Sequence, residues 1–277
     1  MTENPLHNLT LNLAIATHGP EGLKRVESIL LPQKEGITYI VSWQNHENKE
    51  IPEGLKKRED VRILRLDKKG LSNNRNNAID HCEGDIILFA DDDMVYSIEA
   101  LDKLRDIFEK NPDVDLALFK VKFSEEKSYP SESVTLGCPF PKDYYVSSVE
   151  IAVRRKSLGD LRLYPALGLG SESMLAGEDE FFVASAIRRG LKCRFFPLEI
   201  GRHPDISTGS KISPGIMKGQ GFVMAVIYPR SVWIRVFLKS YRNRKNGKAS
   251  FRSSFVNLIK GVITAKRTYS KIPSCYV

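Results

Sequence analysis

The sequence predicts an α/β fold, a mainly parallel sheet with helices on both faces, and three observations carry it. Strand and helix signals alternate through the first two-thirds of the chain, the strands are apolar runs, and one of them ends in three consecutive carboxylates, Asp91 to Asp93. Sheets of this kind bind ligands at the carboxyl ends of their strands.

The elements follow in order. "LTLNLAIA" puts Leu9, Leu11, Leu13 and Ile15 on one face at period two and predicts a strand, and "PEGLKRVESIL" then spaces Leu23, Val26 and Leu30 as on a helix after Pro20. "ITYIVSW" and "VRILRL" predict two more strands, "SNNRNNAIDHC" a helix opened by Ser72, and "DIILFA" a buried strand ending at the triplet. "SIEALDKLRDIFEKNP" predicts a helix with Leu101, Leu104 and Phe108 inward and Pro112 beyond its end; the strand "VDLALFKVKF" follows. "GEDEFFVASAIRRG" predicts a helix with carboxylates in its first turn, Arg188 and Arg189 in its last, and Gly190 as the stop.

A chain of 277 residues, 42% hydrophobic, is large enough for one large core or two modest ones. No window reaches the roughly 18 uninterrupted apolar residues of a membrane span, and "MTENPLHNLT" has no basic segment leading into an apolar one, so a cytoplasmic protein is expected. Cys82, Cys138, Cys193 and Cys275 lie far apart, without metal-site or disulfide-scaffold spacing, and are expected as reduced thiols. The net charge of +8 is unevenly divided. From Ile206 to Val277 there are 14 Lys or Arg and no Asp or Glu, which leaves 28 basic against 34 acidic residues, or −6, in the first 205. An acidic body with a basic end excludes a uniform nucleic-acid coat and points to a local contact made by the tail.

Adjacent like charges repel unless a cation or water takes up the field, so Asp91 to Asp93 are either a solvated turn or a cation site. Glu178, Asp179 and Glu180 complement the helix macrodipole, which is sufficient reason for them, and a carboxylate there is also placed to act as a general base. His203, in "EIGRHPDISTG", is either a polar loop residue or, with two aspartates, part of a ligand set for Mn²⁺ or Mg²⁺.

Taken together, "KGLSNNRNNAI", "GDIILFADDD", "GEDEFFVASAIRRG" and "HPDISTG", in this order and spacing over about residues 9 to 210, resemble bacterial family-2 glycosyltransferases. The resemblance implies the Rossmann-like GT-A fold over 1–210, with a nucleotide-sugar half of about 1–123 and an acceptor half of about 124–210, followed by a helical basic extension over 211–277. It also implies an inverting transfer of a sugar from a nucleotide-diphosphate donor, expected to be a UDP-sugar, to a hydroxyl of a saccharide or lipid-linked saccharide in surface polysaccharide synthesis. By that resemblance Asp91 lies near the ribose and diphosphate with Asp92 beside it. Asp93, Asp91 and His203 serve Mn²⁺ or Mg²⁺, and Asp179 is the base with Glu178 as second candidate. Leu71, Ser72, Arg75 and Asn76 line the nucleotide, Arg75 as its cation.

Two segments depart from the family pattern. "ATHGPE", with Thr17 and His18, stands where many relatives have Pro-Thr-Tyr-Asn, and "SWQNHENKE" replaces an Asp-Asp-Gly-Ser turn, leaving Gln44 or Asn45 to meet the base. Two rival classes use the same residues differently: a metal-dependent nucleotidyl- or phosphoryltransferase, and a non-catalytic membrane-associated binding protein whose tail is the working part. In that tail "GQGFVMAVIYPRSVWIRVFL" is apolar but interrupted by Pro229, Arg230 and Arg235, "FRSSFVNLIKGVITAK" sets Phe251, Phe255, Leu258 and Val262 on one helical face, and the basic "KSYRNRKNGK" lies between them. That predicts either a peripheral contact with an anionic membrane or helices packed on the protein.

Overall fold

The structure is a computed structural model and describes residues 8–124, 127–141, 144–203 and 212–277. Four neighbouring strands run parallel from one edge of the sheet inward: β1 (Leu11–His18), β2 (Ile37–Gln44), β3 (Val61–Leu66) and β4 (Ile86–Asp91), with β3 at the edge. β5 (Val95–Tyr96), β6 (Leu116–Lys122), β7 (Val134–Thr135), β8 (Ile151–Arg154) and β9 (Cys193–Arg202) complete nine strands in the order β3-β2-β1-β4-β8-β6-β9-β5, with β7 also on β9. The sheet is mixed: β8 runs antiparallel to both β4 and β6, and β5 and β7 run antiparallel to β9.

The connecting helices are α1 (Gly22–Ile29), the single turn α2 (Glu53–Lys56), α3 (Leu71–Asp80), α4 (Ile98–Lys110), the single turn α5 (Arg155–Leu158) and α6 (Glu178–Arg188). Strand alternation divides the core between two faces. Leu11, Leu13 and Ile15 of β1 meet Leu23 and Val26 of α1 and Leu101, Leu104 and Phe108 of α4, while Ala14, with Ile87 and Phe89 of β4, meets Ala78 of α3 and Phe182 of α6. α4 opens as its sequence requires, the Ser97 hydroxyl accepting from the Ala100 amide at 3.2 Å. α3 does not open on Ser72. Its cap is Gly70, at φ 104°, and the Ser72 hydroxyl donates instead to the Leu167 carbonyl at 2.7 Å.

The tail forms three helices, α7 (Pro214–Ile227), α8 (Val232–Lys245) and α9 (Phe251–Thr268), and α7 shares the main core: Phe222 lies 5.7 Å from Phe181 of α6. Small residues let α7 and α9 touch through their backbones, and a Cβ on Gly261 would lie 2.0 Å from the Lys218 carbonyl oxygen. Among the described residues no helix is long and apolar enough to cross a membrane.

Candidate active site

Three apolar stripes end in charge at the same edge of the sheet. On β4 the residues that follow Ile87 and Phe89 at period two lead to Asp91; on α3 Arg75 lies one turn before Ala78 and Ile79; on α6 Asp179 lies one turn before Phe182. Because Phe89 and Phe182 pack at 5.3 Å and Ala78 joins the same cluster, the charged ends of the three stripes must meet above it. They do. The Arg75 guanidinium donates to Asp91 Oδ1 at 2.9 Å, Glu178 Oε1 at 3.1 Å and Asp179 Oδ1 at 3.3 Å.

Arg75, expected as the nucleotide's cation, is therefore buried and committed to three carboxylates. Their field holds its guanidinium firmly protonated against the cost of burial. Asp179 is pushed well above the ordinary carboxylate range, first by burial and next by Glu178, with Arg75 opposing and Asp91 adding. A carboxylate so raised, and still partly open to solvent, has the properties of a general base. Glu178 is more enclosed: its carboxylate lies against Gly168, where a Cβ would come within 3.0 Å of it.

β5 and β9 bring the acidic triplet to His203. Their antiparallel register pairs Val95 with Arg202 and Tyr96 with Gly201, so the turn after β4 and the residue after β9 become neighbours. Gly201 is needed for this approach, since a Cβ there would lie 2.8 Å from the Val95 carbonyl oxygen. His203 Nε2 lies 3.3 Å from Asp93 Oδ1. The rest of the "HPDISTG" segment, from Pro204, lies outside the described residues.

The expected Mn²⁺ or Mg²⁺ can be tested against this geometry. Asp93 Oδ1 is buried, accepts no hydrogen bond among the described residues and faces an imidazole nitrogen; Asp91, expected with the ligands, is turned to Arg75 instead. Among the described residues no three His, Cys, Asp or Glu side chains form a ligand group. Among the described residues the set is thus a carboxylate and an imidazole, oxygen and nitrogen donors that would suit Mn²⁺ or Mg²⁺ as part of its shell. The Asp93 carboxyl is raised by burial and by Asp91 and Asp92, with His203 opposing, so a cation there would relieve a real excess of negative charge.

A cavity of about 800 Å³ adjoins this cluster at the carboxyl ends of β1 and β2 and the start of α3. Thr17, Gln44, His46, Asp67, Leu71 and Asn74 are among its lining residues, as are His18 and Asn45. The volume suits a nucleotide-sized ligand. Thr17 joins cavity and triplet, its hydroxyl donating to Asp92, and Arg25, absent from the sequence-predicted set, donates to the same Asp92 oxygen from Nε at 3.0 Å. The Gln44 amide donates to the Lys68 and Gly70 carbonyls and so fixes the loop that caps the cavity.

Two expected nucleotide residues serve the scaffold. Ser72 binds Leu167 as described, and Asn76 clips the segment around Leu163 to α3, donating to the Leu163 carbonyl at 2.8 Å and accepting from the Leu163 amide at 2.9 Å. The buried pair Lys127 and Glu150 is absent from the sequence-predicted set. Their ion pair is joined by the Tyr129 hydroxyl at 2.7 Å and the Tyr144 hydroxyl at 3.1 Å. Glu150 lies in the apolar run "SSVEIAV", and an isolated carboxylate in such a run is the signal that could have found it.

The sequence model of glycosyl transferase family 2 matches residues 26–176, more than half of the chain. The chain belongs to that family. No protein of curated function matches the sequence. Among solved structures, Staphylococcus aureus TarS 1–349 is similar at 14% identity and a TM-score of 0.57, with 95% of this chain and 92% of that one covered. The same fragment in complex with UDP-GlcNAc gives 13% identity and a TM-score of 0.58 over the same shares, and the longer TarS gives 15% and 0.56 over 94% of this chain and 55% of that one. At such identities the likeness is one of fold, and it agrees with GT-A. Family membership sets aside both rival readings, the nucleotidyl- or phosphoryltransferase and the non-catalytic binding protein.

Proposed function

We propose that this glycosyltransferase moves a sugar from a nucleoside diphosphate donor, UDP-linked, to a hydroxyl of a saccharide or lipid-linked saccharide in surface polysaccharide synthesis, with inversion at the anomeric carbon. The observation that carries the reading is Asp179: a carboxylate with a raised pKa, aimed by Arg75 at the sheet edge where Asp91 ends β4 and the nucleotide-sized cavity opens. The structures of S. aureus TarS with UDP and with UDP-GlcNAc support the choice of donor.

In this reaction Asp179 accepts the proton of the acceptor hydroxyl as its oxygen attacks the anomeric carbon. The bond from that carbon to the phosphate oxygen breaks on the opposite face, and its electron pair leaves with the diphosphate. Asp93 and His203 would hold Mn²⁺ or Mg²⁺, which when bound supplies positive charge beside the leaving diphosphate. Arg75 keeps Asp179 in place, and the cavity loop held by Gln44 receives the nucleoside.

The test is a panel of nucleotide sugars incubated with the purified chain and Mn²⁺ or Mg²⁺, read as nucleoside diphosphate released by slow donor hydrolysis. Release from one UDP-sugar above the others supports the assignment. A folded protein that neither binds UDP nor hydrolyses any donor would overturn it.

A further inference from the structure

α8 has three sides. Taken at 100° per residue, Val232, Val236, Ser240 and Asn243 occupy one arc and are buried against α7 and α9. Trp233, Ile234, Phe237, Leu238 and Tyr241 occupy the next arc, about 140° wide, and each is between 49 and 66% exposed. Arg235 and Arg242 occupy the third. Five large apolar side chains left open on one helix are far more than scattered surface residues require.

The surroundings of that arc are cationic. Lys266 of α9 lies 5.0 Å from the Trp233 ring centre, and Arg244, Lys245, Lys248 and Arg252 are exposed around the turn into α9. Phe237 meets Phe251 of α9 edge to face, ring centres 5.5 Å apart, which joins the two helices into one surface. No acidic residue occurs anywhere from Ile206 to Val277.

We propose that the α8 face, continued by α9, docks on an anionic lipid surface, Trp233, Ile234, Phe237, Leu238 and Tyr241 entering the headgroup layer while the surrounding Lys and Arg meet lipid phosphates. The proposal deepens the lipid-linked acceptor in the reading above and rests on that reading for its purpose. Charge decides the occupant. A second copy of the same face would set one uncompensated basic surface against another, whereas an anionic bilayer supplies the missing sign and an apolar layer below it. Of the two apolar stretches the sequence suggests, the later one is turned inward at Leu258 and Val262 of α9, which are buried against α7 and α8, and the open apolar arc belongs to α8.

The docking helix is linked to the site through α7, which packs against both α8 and α6, the helix that carries the proposed base.

The experiment uses the full chain and vesicles of phosphatidylcholine with or without phosphatidylglycerol, at low and high salt. Sedimentation should show binding to anionic vesicles that weakens as salt rises, because the lipid charge is screened, without vanishing, because apolar insertion is not. Of the two tryptophans Trp43 is fully buried, so a blue shift of emission on adding anionic vesicles reports Trp233. The double variant Ile234→Glu, Phe237→Glu changes only exposed positions and should bind at least about tenfold more weakly while its circular dichroism stays unchanged. A chain that ignores anionic vesicles at low salt, a variant that binds equally well, or a concentration-dependent dimer abolished by the variant would each overturn the proposal. Donor hydrolysis without vesicles is measured in parallel. Its failure beside intact vesicle binding would strike the donor reading alone, and its persistence beside failed vesicle binding would strike the docking surface alone.

Discussion

Arg75 and Asp179 are 104 positions apart in sequence and 3.3 Å apart in space, and that contact ties the two halves of the site together. Arg75 belongs to α3, whose start lines the nucleotide-sized cavity; Asp179 lies in the first turn of α6. A single guanidinium spans both and Asp91 besides.

The first prediction separates Asp179 from Glu178. Asp179→Asn keeps shape and removes the base, so kcat should fall by about 10²- to 10⁴-fold with UDP affinity unchanged in calorimetry. Glu178→Gln should lower thermal stability and cost less in kcat, because Glu178 is the more enclosed partner of Arg75. If the two variants exchange these phenotypes, Glu178 is the base.

A second prediction concerns pH. Burial and Glu178 raise the Asp179 carboxyl, so the acid limb of kcat/KM should lie above the ordinary carboxylate value of about 4. Stability should run the other way. The folded state binds this proton more tightly than the unfolded chain does, so between the ordinary and the raised pKa the contribution of Asp179 to stability falls as pH rises. Arg75→Lys keeps a charge but loses the fork that reaches three carboxylates, so its acid limb should move to higher pH and its melting temperature should drop. An acid limb unmoved in Arg75→Lys would count against the positioning role.

Most of the frame was legible in the sequence because apolar runs at strand length and apolar spacing at helix length mark it directly. "DIILFA" became β4 and "SIEALDKLRDIFEK" became α4 with Leu101, Leu104 and Phe108 inward as expected. The partnerships were harder to see. Nothing local shows that Arg75 would face Glu178 and Asp179 rather than a diphosphate, or that Asn76 would clip Leu163, because both depend on how α3 packs against segments roughly 90 to 100 positions away. The tail misled for a related reason. Phe251, Phe255, Leu258 and Val262 do share a helical face, but α9 turns part of that face onto α7 and α8 and leaves the apolar arc of α8 outside.

The third prediction addresses the cation. With Asp93 and His203 as its two protein ligands, Asp93→Ala should abolish the Mn²⁺-dependent part of UDP binding, and His203→Ala should weaken it by about 10- to 100-fold. Both folds should persist, since each residue sits just beyond a strand end. Calorimetric titration of UDP with Mn²⁺ and with chelator makes the comparison, and equal affinities in wild type and both variants would remove the assignment.

The last prediction follows the tail into the active site. α7 presses on the segment before α6, where a Cβ on Gly219 would lie 2.2 Å from the Ala176 carbonyl oxygen and Gly177, at φ 94°, caps the helix that begins with Glu178 and Asp179. Gly219→Ala must push that carbonyl, and the cap with it, away from α7. Overpacking of this kind costs about 1 to 3 kcal/mol, and a displacement near 1 Å at a reacting group costs about 10²-fold in rate. The variant should therefore melt several degrees lower and lose kcat out of proportion to any change in UDP affinity. Gly261→Ala, whose Cβ would meet the Lys218 carbonyl oxygen at 2.0 Å, should melt lower as α9 is forced off α7, with a smaller loss of kcat because the cap itself is untouched. Gly137→Ala is the control, since nothing lies within 4 Å of the added carbon. If Gly219→Ala matches Gly137→Ala in both melting temperature and kcat, α7 does not support the helix that carries Asp179.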